Sequence, residues 1–390
     1  MHGGGAERVA ALLLNEFHRQ GHHCEFLLTN DTQDKVVRND LSADIPIIFL
    51  QDFESKCGAI DRLFYYLLRW YGSITCRLFE LFKRSVPVHF AYCSFVSQYH
   101  EKIKALREYL KKRPNSTVIT FLQPSIPMVM LAARGLTNKV IFSERGDARR
   151  LMQNRYGKKF IKKYYERADV VVFQTVDARD SYPENIADKG VIIVNPLTPH
   201  LPPPFTGERR KVINTFCRIS KQKNLPLLLE AFKRVHDRHP DYQLHIIGDA
   251  LNDEGEAVKA NLKQYIVENH LESVVTFIPF SLSVHLDIIS DSMYVNSSNY
   301  EGISNAMLEA MAIGLPTICT DCPISGAKAI IKDHENGLLV PIRDVNALTS
   351  AIIEMIENPY LAKKLSGNGI KLHEMLNVEN IANRWLELLY

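Results

Sequence analysis

Two carboxylates, Glu301 and Glu309, stand on either side of Gly302-Ile303-Ser304-Asn305, a segment that reads as a loop becoming a helix. Gly302 permits close backbone approach or a positive φ, and Asn305 is a suitable N-cap. Ala306 to Ile313 then forms a short helix stopped by Gly314 and Pro316. Backbone N–H groups at such a helix start, with the positive end of its dipole, favour an anion such as a pyrophosphate. Glu301 falls just before that seat and Glu309 about one turn inside it, so neither repels the anion head-on. A carboxylate accepts paired hydrogen bonds from vicinal hydroxyls, which makes ribose and hexose its natural partners. An ordinary core helix would look similar, with Leu308, Met311 and Ala312 as its buried contacts.

The elements that must position this segment are short apolar runs alternating with amphipathic stretches, the pattern of α/β units with parallel sheets. Cys24 to Leu28, Ile45 to Leu50, Val118 to Leu122, Val140 to Phe142 and Val170 to Phe173 read as strands in the first half. Val212 to Cys217, Leu244 to Ile247, Val274 to Ile278, Tyr294 to Asn296 and Thr317 to Cys319 do so in the second. Between the halves, Asn195 to Pro204 is a stiff proline-rich linker. The expected organisation is a first domain over residues 1–197, a second over 198–377, and a terminal helix over 378–390. That helix carries an apolar stripe of Ile381, Trp385, Leu386 and Leu389.

The segment from Ser298 to Pro316 resembles the Glu-x7-Glu motif of retaining glycosyltransferases of family 4. Thr320-Asp321-Cys322-Pro323 and Asn336-Gly337-Leu338-Leu339-Val340-Pro341 resemble the family's following segments, and the likeness covers nearly the whole chain. It implies the GT-B architecture, two Rossmann-like α/β domains around a cleft, with the final helix crossing back to the first domain. It also implies roles. Glu309 would hold the ribose hydroxyls, Glu301 the sugar, and the amides of Gly302, Ile303, Ser304 and Asn305 the phosphate or sugar. Arg218 and Lys223, behind the predicted strand ending at Cys217, match the cations that bind the donor diphosphate. Fixed cations stabilise a departing nucleoside diphosphate without a metal, so no metal or other cofactor is expected. Taken singly, they would be solvated charges ahead of a helix starting near Leu225.

Elsewhere the match is looser. Met1 to Val9 resembles the glycine-rich turn and helix start that relatives carry after their first strand, so Gly4 and Gly5 would offer N–H groups to the diphosphate. No strand precedes that turn here, and either a misassigned start or a truncated first domain would account for it. Ser143-Glu144-Arg145-Gly146-Asp147 follows a predicted strand and resembles a segment of relatives that build bacterial surface polysaccharides. Arg145 would take the place of a donor-contacting His; read alone, Glu144 and Arg145 could equally form a loop ion pair. Ser325-Gly326-Ala327-Lys328-Ala329 lacks a carboxylate that relatives carry, and Gly248-Asp249-Ala250 replaces a more glycine-rich turn.

With 390 residues and 46% hydrophobic content, the chain can bury two domains. A net charge of +3, from 47 basic and 44 acidic residues, argues against a nucleic-acid partner. Seven cysteines without a paired framework suggest a reducing compartment, and the lone Cys319-x-x-Cys322 is not expected to hold zinc or cycle redox states. There is no signal peptide and no apolar run long enough to span a bilayer, so a cytoplasmic location is expected. Residues 59–85 interleave Leu63, Phe64, Tyr65, Tyr66, Leu67, Leu68, Trp70, Tyr71, Leu78, Phe79, Leu81 and Phe82 with Arg62, Arg69, Arg77, Lys83 and Arg84. Contact with an anionic membrane fits that pattern, and so does burial as core or in a dimer.

The expected function is a retaining glycosyltransferase that moves a hexose or N-acetylhexosamine from a UDP-linked donor to a lipid-linked or growing surface glycan. The alternatives are a catalytically silent glycosyltransferase-like subunit and a nucleotide-sugar epimerase. A glycosidase is disfavoured, since it has no diphosphate for Arg218 and Lys223 to neutralise.

Overall fold

Runs of β-branched and apolar residues bounded by turn formers become the strands of this chain, and every strand pairing among the described residues is parallel. The computed structural model describes residues 5–28, 41–53, 63, 65–71, 74, 88–121, 125–145, 163–205, 207–324 and 326–389. The chain divides after Ile193 into two compact units, the first of which also takes residues from Asn383 onward.

In the first unit β1 (Phe26–Leu28) pairs with β2 (Ile47–Phe49). A separate sheet runs in the order β3 (Thr117–Thr120), β4 (Lys139–Ser143), β5 (Val170–Phe173), β6 (Gly190–Ile192). The expected strands are found within two or three residues at their ends. β6 was not expected, because a three-residue strand that starts on glycine shows no alternation to read. Helix Gly5–Arg19 buries Val9, Leu13 and Phe17, four residues apart on one face. Trp385, 1% exposed, lies within this unit against Phe121 at a ring separation of 5.7 Å.

The second unit has one six-stranded sheet, ordered β12 (Leu338–Pro341), β11 (Thr317–Asp321), β10 (Asp291–Asn296), β7 (Arg210–Phe216), β8 (Gln243–Ile247), β9 (Val275–Ile278). β12 was read from the sequence only as part of a motif. Helix Leu225–Arg238 buries Leu225, Leu228, Leu229, Phe232 and Val235, a helical-period stripe that anchors the core over the sheet. The turn after β8 passes so close to β7 that a Cβ at Gly248, whose φ is +134°, would overlap the Cys217 carbonyl. One glycine in Gly248-Asp249-Ala250 therefore meets the need that the looser sequence match left open.

From β7 the chain proceeds to β8 and β9 on one side, and β10 to β12 continue on the other. β7 and β10 are thus neighbours whose connections leave in opposite directions, the topological switch point at which open α/β sheets bind ligands beyond the carboxyl ends of their strands.

At the other end of these two strands, Asp291 is wholly buried. It accepts from Arg210 Nη2 at 2.5 Å and from Asn214 Nδ2 at 2.9 Å. Burial nevertheless pushes its pKa up from 3.8 to about 6. A folded-state pKa above the unfolded one means that the protonated form is favoured by folding. This contribution is complete below pH 3.8 and lost as pH rises through about 6, and amounts to roughly 3 kcal/mol. Asp291→Asn should flatten the pH dependence of unfolding between those limits, measured by denaturant titration; an unchanged slope would show that Asp291 ionises without cost.

Candidate functional site

The loops that follow β7 and β10 are laced together before any ligand is considered. Ser297 Oγ donates to the carbonyls of Lys223 and Asn224 at 2.9 and 3.2 Å. Gln222 Nε2 donates to the Tyr300 carbonyl at 3.0 Å, and the Asn299 amide to the Gln222 carbonyl at 2.9 Å. Asn224 takes a left-handed conformation at φ 46°, which ends the short Lys221–Lys223 turn and starts the helix at Leu225. That geometry sends the Lys223 side chain back over the sheet end.

There Lys223 Nζ lies 2.5 Å from Glu301 Oε2, with the two side chains 13% and 19% exposed. Burial disfavours the ammonium, but Glu301 outweighs it and holds the Lys223 pKa above its ordinary value. Ser298 Oγ donates to the same carboxylate oxygen at 3.2 Å. Arg218, five residues earlier, is exposed and makes no hydrogen bond or ion pair among the described residues.

The N-cap of helix Asn305–Ala312 is Ser304, whose hydroxyl accepts from the Met307 amide, and not Asn305. Asn305 is the first helical residue, and its side-chain oxygen accepts from Asn195 at 2.6 Å. Gly302 and Ile303 form a bend that leads into the extended Ser304 cap. Gly302 does not have a positive φ. The close approach in this loop belongs to Gly326, where a Cβ would overlap the Gly302 carbonyl. Thr320 and Cys322 hold the loop from behind: Thr320 Oγ1 donates to the Ser298 carbonyl at 2.7 Å and Cys322 Sγ to the same atom at 3.1 Å. Glu301, Gly302, Ser304, Thr320 and Cys322 together line a small pocket.

Glu309 is buried one turn into the helix, and His285 Nε2 donates to its Oε2 at 2.9 Å. His285 comes from the short helix Val284–Ile288 and packs edge-on to Phe216. Nothing in the sequence marks it: a lone histidine between Val284 and Leu286 has no motif, and only the fold places it against Glu309.

The structure thus gathers Lys223, Glu301, Gly302, Ile303, Ser304, Asn305 and Glu309, with Arg218 at the end of β7, in one unit. Arg145 and Gly5 belong to the other unit. Arg145 follows β4, with its guanidinium 5.2 Å over the Phe121 ring, and burial lowers its pKa to about 10. The neighbouring Glu144 is buried and accepts from the Tyr165 hydroxyl at 3.2 Å and from the Tyr182 hydroxyl. Gly5 begins the first helix, while Gly4 lies outside the described residues. Among the described residues, no group of three His, Cys, Asp or Glu side chains could hold a metal ion.

Residues 203–372, which contain the whole of the β7/β10 site, match the family model described as glycosyl transferases group 1. Over 392 aligned residues, 99% of this chain and 96% of the relative, the chain is 24% identical to an uncharacterized glycosyltransferase of Haemophilus influenzae. A stretch of 153 residues, 39% of either chain, is 30% identical to the N-acetylgalactosamine-N,N'-diacetylbacillosaminyl-diphospho-undecaprenol 4-alpha-N-acetylgalactosaminyltransferase of Campylobacter jejuni. Among solved structures, Anabaena Alr3699/HepE in complex with UDP and glucose superposes with a TM-score of 0.76. That likeness covers 99% of this chain and 96% of that one at 15% identity. The fold is that of the GT-B glycosyltransferases, and the comparisons support the glycosyltransferase class.

Because Gly326 packs on the Gly302 carbonyl, Gly326→Ala should force the 302–304 loop to shift. The expected cost is roughly 1–3 kcal/mol of unfolding free energy, measured by denaturant titration. A variant as stable as the parent would mean that this contact does not hold the loop.

Proposed function

We propose that this chain is a retaining glycosyltransferase that transfers a hexose or N-acetylhexosamine from a UDP-sugar to a lipid-linked or growing surface glycan at the inner face of the cell membrane. The observation that carries the reading is the Lys223–Glu301 pair at the β7/β10 switch point, beside a helix start. Each member is the other's stand-in for a ligand: to Glu301 the ammonium stands in for sugar hydroxyl donors, and to Lys223 the carboxylate stands in for the diphosphate. The UDP and glucose held by HepE, and the diphospho-undecaprenol in the name of the Campylobacter relative, support the donor and acceptor classes.

The chemistry follows from these positions. A donor diphosphate takes over Lys223, joins Arg218 and faces the first N–H groups of helix Asn305–Ala312. Released from Lys223, Glu301 accepts hydrogen bonds from sugar hydroxyls. Glu309, oriented by His285, accepts those of the ribose. The acceptor oxygen attacks the anomeric carbon from the face the diphosphate leaves; the C–O bond to phosphate breaks, and the departing phosphate oxygen keeps the electron pair and takes the acceptor proton. The anomeric configuration is retained without a side-chain nucleophile. Arg218 and Lys223 supply the charge stabilisation, so the reading calls for no metal ion.

UDP release should appear with one or a few members of a UDP-sugar panel when membrane extract supplies acceptor. Glu309→Ala should raise the donor KM roughly 10- to 100-fold through loss of charge-assisted hydrogen bonds. Lys223→Ala should lower kcat roughly 100-fold or more. No release with any donor, from folded protein, would favour the silent-subunit reading; an altered free nucleotide sugar without acceptor would favour an epimerase.

His285→Ala should weaken UDP binding roughly 5- to 10-fold yet leave 2′,3′-dideoxy-UDP binding almost unchanged, as calorimetry would show. An equal loss for both nucleotides would mean that His285 acts on the fold and not on the ribose contact.

A further inference from the structure

Helical residues 63, 65–71 and 74 expose one face. Leu63, Tyr66, Leu67, Trp70, Tyr71 and Ile74 fall at i, i+3, i+4, i+7, i+8 and i+11, which is a single helical stripe. Their exposures are 60, 66, 52, 59, 47 and 37%. The other side of the helix is the one attached to the protein: Tyr65 stacks on His100 of helix Val88–Lys111 at a ring separation of 3.7 Å, and Leu68 is half-buried. Burial of this stripe as core, one of the readings open in the sequence, does not hold within the chain. A contiguous apolar face of this size marks an interaction surface.

We propose that this stripe docks the protein on an anionic lipid bilayer. Its composition selects that occupant. Leucine and isoleucine suit the acyl boundary, while tryptophan and two tyrosines present apolar rings with polar tips suited to the headgroup level. Exposed Arg69 sits beside the stripe, and residues 59–85 hold five cations, Arg62, Arg69, Arg77, Lys83 and Arg84, against Asp61 and Glu80. A segment with an excess of arginine and lysine, Arg69 among them exposed next to the apolar stripe, is attracted to negative lipid headgroups. The surface deepens and rests on the proposed membrane-face reading, yet bilayer binding requires neither donor nor acceptor, so its failure is distinguishable from a failure of the transferase reading.

The chain has two tryptophans, and Trp385 is buried, so changes in intrinsic emission on vesicle addition report Trp70. Vesicles of phosphatidylglycerol and phosphatidylcholine should shift the emission to the blue and sediment the full-length protein; vesicles of phosphatidylcholine alone should do so far less. Leu67→Gln should weaken sedimentation without altering the unfolding curve, since its side chain is exposed, and Arg69→Gln should weaken it roughly fivefold. Trp70→Phe should abolish the emission change while leaving sedimentation in place. The proposal is overturned if neither vesicle type is bound, or if both are bound equally. It is also overturned if the emission shifts with protein concentration alone while the mass doubles by sedimentation, which would assign the stripe to a second copy.

Discussion

Everything at this site depends on β7 and β10 being adjacent while their connections depart in opposite directions. That arrangement leaves the two following loops side by side at the carboxyl edge of the sheet, with no crossover helix closing the space between them. Ser297, Asn299 and Gln222 fill part of the space with hydrogen bonds from one loop to the other. Each loop is therefore rigid because the other is there. The fit extends behind them, where Thr320 and Cys322 at the end of β11 hold the Ser298 carbonyl.

Within that frame the Lys223–Glu301 pair sets the electrostatics. Two charges this far removed from water are stable only while each has a partner, and loss of one strands the other. In the proposed reading, a diphosphate replaces the carboxylate as the partner of Lys223, and sugar hydroxyls replace the ammonium as partners of Glu301. The exchange keeps both groups satisfied, so a ligand carrying an anion next to a polyol fits, while a neutral sugar or a bare phosphate satisfies only half of it. Glu309 follows a different logic: His285 and burial fix its orientation in advance, which lowers the ordering cost of binding hydroxyls.

Much of this was legible in the sequence because the signals are local. The apolar run Val170–Phe173 and the β-branched segment Val212 to Cys217 announce strands, and Gly302 between two glutamates announces a loop. The cap residue was misread by one position, since Ser304 and Asn305 are both good caps and only the backbone decides between them. β6 and β12 were too short, or too close to a motif, to be read as strands. What the sequence could not supply is long-range: His285 meeting Glu309 across 24 positions, Gln222 meeting Tyr300 across 78, and Gly326 pressed against Gly302. No periodicity encodes such pairings; they follow from strand order.

The central claim is that a nucleoside diphosphate binds at the β7/β10 switch point by displacing Glu301 from Lys223. A crystal structure of the full chain with UDP tests it most directly. The account predicts the diphosphate within hydrogen-bonding distance of Lys223, Arg218 and the first amides of helix Asn305–Ala312, the ribose hydroxyls on Glu309, and the Lys223–Glu301 contact opened. UDP bound elsewhere, or bound here with that ion pair intact, would contradict it.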